Sequence, residues 1–168
     1  MAIRILIAEE DDDLRDALAS RLRQPGDDVR EASDTESAVD ILNGNEIDVA
    51  VIGLEGFGRE GLDLLKMCRS ARYPAEVILL VGKHQGSLAI RGMKLGAFRD
   101  AQLPIHVESL REIVQEACEA RAQRVHRKKR RLRRRWSDVF AAVTFAEAGE
   151  FEVAKQFRDS GPGKKTEK

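Results

Sequence analysis

The sequence predicts an α/β protein, a doubly wound five-stranded parallel sheet with helices on both faces, carrying a basic C-terminal helical extension. Three observations carry this expectation. Short Ile, Val and Leu runs recur through the first part of the chain without polar alternation, as strands covered on both faces require. Helical periodicity fills the stretches between them. Charge is split along the chain, so that its last part must be something other than the sheet.

The strands are expected at residues 3–8, 48–52 and 77–81, with weaker ones at 29–32 and 98–102. Leu14, Leu18 and Leu22 recur at helical spacing after an acidic start, as do Ala38, Ile41 and Leu42, then Leu62, Leu65 and Met67. Further helices are expected from Ser87 to Leu95 and from Val107 onward. Asp12 or Asp13 can cap the first helix, a contribution of about 0.5–2 kcal/mol. Five rounds of strand then helix within about 120 residues imply parallel pairing through right-handed crossovers.

The 168 residues allow one core and an appendage. Formal net charge is zero, but residues 1–120 hold 14 Lys/Arg against 23 Asp/Glu, net −9, and residues 121–168 hold 15 against 6, net +9. The organisational break is therefore placed near Glu119, giving a body over 1–119, a basic helix plus helical hairpin over 120–159 and a disordered tail over 160–168. Apolar runs such as Val77 to Val81 are too short to cross a bilayer, and the N-terminus lacks a secretory layout, so a cytoplasmic location is expected. Cys68 and Cys118 stand alone inside helical patterns and read as free thiols. His84, His106 and His126 are scattered, and no metal site, cofactor or catalytic residue is assigned.

The stretches IRILIAEEDDDLRDALASRL, DVAVIGLEGFGREGLDLLKMCR, VILLVGKHQ and GAFRDAQLP, in that order and spacing, resemble the response-regulator receiver family over residues 1 to about 119. The resemblance implies the flavodoxin-like strand order 2-1-3-4-5. It also implies a phosphoryl-accepting aspartate at the end of the third strand, where this chain has Gly53. The loop's usual proline falls at Phe57 and its glycine at Gly61, so a one-residue slip recovers no acceptor. Glu9 and Glu10 stand at the family's acidic metal-binding pair, but the third carboxylate is lost with the acceptor, and Mg²⁺ needs tight octahedral geometry. Val81 replaces the hydroxyl residue that holds phosphoryl oxygens, Leu103 replaces the pairing lysine before Pro104, and Asp100 replaces the reporting aromatic. Phosphoryl transfer depends on positioned charge, so these losses together imply a non-enzymatic pseudo-receiver. Glu55 is the one acid left near the site; it reads as a relocated acceptor, as a fixed phosphate mimic or, preferably, as a solvated loop residue.

The segment RAQRVHRKKRRLRRR contributes Arg121, Arg124, Arg127, Lys128, Lys129, Arg130, Arg131, Arg133, Arg134 and Arg135 as a candidate polyanion-binding set. As a helix it places like charges at many i, i+4 pairs, each unfavourable by about 0.2–0.5 kcal/mol, and so favours an anionic partner. Beyond it, Ser137 or Asp138 is expected to cap a helix to Ala148, with Gly149 as the break before a second helix to about Arg158. Phe140, Phe145, Phe151 and Phe157 form too small a core to stand alone. The expected function is a phosphorylation-independent receiver in two-component signalling that acts as a protein-interaction adaptor or homo-oligomerising regulator. The alternative is an atypical transcription regulator that binds DNA through residues 121–135.

Overall fold

A computed structural model describes residues 2–147, without the side chains of residue 128 and residues 134–147. The strands are β1 (Arg4–Ala8), β2 (Asp28–Ala32), β3 (Val49–Gly53), β4 (Glu76–Val81) and β5 (Arg99–Gln102). The helices are α1 (Asp12–Leu22), α2 (Thr35–Gly44), α3 (Leu54–Ser70), α4 (Gly86–Lys94) and α5 (Val107–Glu147). All pairings are parallel and the order is β2-β1-β3-β4-β5, so the expected doubly wound sheet forms.

The uninterrupted apolar runs follow from this topology. Strand side chains alternate between faces. Leu6, Ala8, Ala50, Ile52, Val77, Leu79 and Val81 enter one buried cluster with α2, α3 and α4. Ile5, Ile7, Val49, Val51, Ile78 and Leu80 enter a second with α1 and α5. Gly92 lets α4 lie close on the sheet, because a Cβ there would stand 2.2 Å from Leu79 Cδ1.

Four local expectations are corrected. The cap of α1 is Asp11, whose Oδ1 accepts from the Leu14 N–H at 2.7 Å, rather than Asp12 or Asp13. Met67 is 40 % exposed and Cys68 takes the core position beside it. α3 starts directly at Leu54 and is kinked at Gly58, whose φ of 51° suits glycine, so Glu55 lies in a helical turn rather than a loop. α5 passes through Ser137 and Asp138 without a break, so neither begins a new helix. The hairpin's break at Gly149, its second helix and the 160–168 tail lie outside the described residues. The chain divides into two units, residues 1–122 and 123–168.

Candidate functional site

The carboxyl ends of β1 and β3 place Glu9 beside Gly53, the position that ligand sites occupy in open α/β sheets. Glycine at 53 leaves a void, and Glu9 fills it. A Cβ built on Gly53 would stand 1.9 Å from Glu9 Oε2. The same relation recurs twice nearby. A Cβ on Gly56 would stand 2.4 Å from Glu10 Oε2, and one on Gly82 would stand 2.6 Å from Glu55 Oε2. Three carboxylates thus lie against three glycines, and the three acids line one cleft of about 550 Å³ together with Gly56, Asp11, Leu14 and Leu103.

Glu9 is 3 % exposed. Its Oε1 accepts from the Asp11 N–H at 3.2 Å, while Oε2 has no hydrogen-bond partner among the described residues. Burial pushes the Glu9 carboxyl above its ordinary value; the Asp11 and Glu10 amides oppose this, and the Asp11 and Glu55 charges add to it. Arg15 Nη1 donates to the Glu9 backbone carbonyl at 2.9 Å and so secures the backbone, not the carboxylate.

The other predicted positions fall around this cleft and in the strands beside it. Val81 ends β4 fully buried, Leu103 forms an apolar wall of the cleft, and Asp100 is half-buried in β5 opposite Leu79. The Mg²⁺ of the receiver fold does not fit these residues. Glu9 Oε2 fills the place of the missing acceptor, and no three His, Cys, Asp or Glu side chains among the described residues are grouped to hold a metal ion.

At the opposite end of the strands the acids are paired. Asp48 accepts from Arg4 Nε and Nη2, both at 2.9 Å, and from the Arg4 backbone N–H at 2.9 Å. Arg4 Nη1 also meets Glu46 Oε2 at 2.5 Å. Arg121 reaches Asp48 and donates to the Pro74 carbonyl at 3.1 Å. Burial alone would raise the Asp48 carboxyl, but the Arg4 hydrogen bonds and the Arg121 charge hold it below the usual carboxylate range. The first arginine of the predicted polyanion set is therefore committed to the body, its side chain 13 % exposed. Arg124, Arg127, Lys129, Arg130, Arg131 and Arg133 are exposed on α5, and the side chains of Lys128, Arg134 and Arg135 lie outside the described residues. Burial pushes the Cys68 thiol up to about 12 and the Cys118 thiol up to about 11, which leaves both protonated and unreactive at neutral pH. Sequence reasoning missed the roles of Glu9 and Arg121; a glutamate beside a glycine, and an arginine 73 residues from its aspartate, give no local signal.

The fold and the cleft at the carboxyl ends of its strands define a receiver-type signalling domain. The family model for the response regulator receiver domain matches residues 5–115, and the chain belongs to that family of two-component signalling domains. An NtrX-like response-regulator protein of Rickettsia bellii is 26 % identical over 121 residues, 70 % of this chain and 25 % of the relative. The transcriptional regulatory protein FixJ of Bradyrhizobium diazoefficiens is 26 % identical over 67 % of this chain and 55 % of its own length. The chain thus spans about a quarter to a half of these curated relatives. A crystal structure of a Thermotoga maritima response regulator shares the fold with a TM-score of 0.63 and 22 % identity, covering 71 % of this chain and 99 % of that one. No helix among the described residues is long and apolar enough to cross a membrane.

Proposed function

We propose that this chain is a phosphorylation-independent receiver, not an enzyme, and that it signals as a protein-interaction adaptor or self-associating regulator. The observation that carries the reading is the 1.9 Å approach of Glu9 Oε2 to a Cβ at Gly53: a glutamate lies where the acceptor side chain would stand. With Val81 and Leu103 at the hydroxyl and lysine positions, neither of those two side chains supplies a donor to a phosphoryl oxygen. A phosphorylated receiver is moved between states by about 5.5 kcal/mol of differential interaction; without phosphate, a partner must supply it or the domain stays in one state. The docking face in this reading is α4, β5 and the first part of α5, the face the receiver resemblance suggests, where Ile90 is 60 % and Met93 40 % exposed.

Incubating the full chain with acetyl phosphate and Mg²⁺ tests the reading. The expected result is no added phosphoryl mass on residues 1–119. A stoichiometric, Mg²⁺-dependent adduct there sinks it.

Exposed Arg127, Arg130, Arg131 and Arg133 support a second reading, DNA binding through the basic segment. A gel-shift with random duplex DNA separates the two. If about six phosphates are neutralised, affinity falls with a log-log salt slope of about −5.

A further inference from the structure

The cleft beside Gly53 carries more acid than its surroundings neutralise. Glu9, Glu10, Asp11 and Glu55 line it with Leu14 and Leu103, and among the described residues none of the first four has an ion-pair partner. Glu9 is the independent sign of a ligand, being 97 % buried with Oε2 unpartnered. A buried carboxylate oxygen without a donor is costly, so a donor entering the cleft recovers that cost on binding.

The geometry selects the donor. A divalent ion needs oxygens that converge on one point, and the described acids form no such group of three. A guanidinium spreads five N–H donors around a plane and can serve carboxylates too far apart to share an ion. Leu14 and Leu103 offer apolar walls to the aliphatic stem that carries it.

We propose that this cleft receives an arginine side chain from the basic segment of a second copy of the chain. The proposal rests on the reading that the cleft does not accept a phosphoryl group. Charge complementarity picks the occupant: residues 1–120 carry net −9, and residues 123–135 hold nine Lys/Arg in thirteen positions. Arg127, Arg130, Arg131 and Arg133 are exposed and available to reach a neighbouring molecule. The contact joins unlike surfaces, cleft to segment, so it propagates head to tail instead of closing as a two-fold pair.

The test uses the full chain in sedimentation velocity between about 50 and 500 mM salt. Mass should grow with concentration beyond a dimer at low salt and fall as salt rises. Glu10→Gln with Glu55→Gln, and separately Arg127→Glu with Arg130→Glu and Arg131→Glu, should each weaken association by at least about tenfold. These positions are exposed, and circular dichroism is the check that both variants fold. Mixing the two variants supplies one intact cleft and one intact segment, and should restore a one-to-one pair that grows no further. Added peptide 123–135 should shift the Gly53, Gly56 and Gly82 amides in NMR spectra and lower the pH at which the Glu9 carboxyl titrates. The proposal is overturned by a monomer at all salts, by variants that associate like the parent, by a mixture that does not pair, or by Mg²⁺ shifting those glycines when the peptide does not. Duplex DNA engaging the segment while cleft variants still associate normally also overturns it. A phosphoryl adduct would remove the earlier reading, whereas failed pairing without an adduct removes this one alone.

Discussion

The two ends of the sheet treat their acids in opposite ways. Before β1 and β3, Asp48 and Glu46 are held by Arg4, and Asp48 also by Arg121. After the same strands, Glu9, Glu10 and Glu55 meet glycines in place of cations. Paired charge fixes geometry, because removing either partner strands the other in a low-dielectric place. Unpaired charge does the reverse and leaves binding energy available to whatever brings a donor. The first end anchors the domain; the second holds acids that no cation among the described residues pairs with.

The largest expected effect lies at the paired end. Asp48→Asn leaves two guanidiniums without their shared acid and should cost about 3 kcal/mol in urea unfolding. A loss under about 1 kcal/mol would mean the cluster is solvated rather than structural. Next comes the cleft. Gly53→Asp, made to restore an acceptor, obliges the Glu9 carboxylate to swing aside, since a Cβ there stands 1.9 Å from Glu9 Oε2, and crowds two acids together; it should destabilise the domain by about 1 kcal/mol and take no phosphoryl group. Shortening the neighbour with Glu9→Asp in that background should regain part of the loss. Acetyl phosphate labelling of the single variant would contradict the occlusion.

A smaller effect sets the sign of the comparison. The folded carboxyl of Glu9 holds its proton to higher pH than the unfolded one, since burial raises it. Its contribution to stability is therefore complete below the ordinary glutamate range and is lost as pH rises through the native value. Glu9→Gln should remove that part of the slope in urea unfolding and exceed the parent in stability on the alkaline side. A steeper slope in the variant would show the carboxylate to be favourably solvated. Least of all, Ile90→Ser should change stability by less than about 0.5 kcal/mol, as the side chain is 60 % exposed. Loss of a partner in that variant would then be a property of the surface alone.

The fold was legible because both faces of the sheet are covered, so Val49 to Ile52 and Val77 to Val81 read as unbroken apolar runs. The residues at the cleft were legible as residues, since spacing alone puts Gly53, Val81 and Leu103 at or just past the ends of their strands. What took the vacated space was not. Glu9 at the end of β1 and Gly53 at the end of β3 meet through a strand pairing, and one missing Cβ lets the longer acid fold inward. Arg121 was read with the basic run by composition, whereas its reach to Asp48 depends on where α5 crosses the sheet. The glycine-rich start of α3, GFG, gives Glu55 the look of a loop residue and masks its helical turn.

Gly92 adds a mechanical consequence. With no side chain at 92, the α4 backbone comes down onto the Leu79 methyl, so the depth at which α4 sits on β4 is set by that one contact. The apolar pair Ile90 and Met93 is thereby carried close above the sheet, at a height fixed by a residue whose contribution is the atoms it lacks.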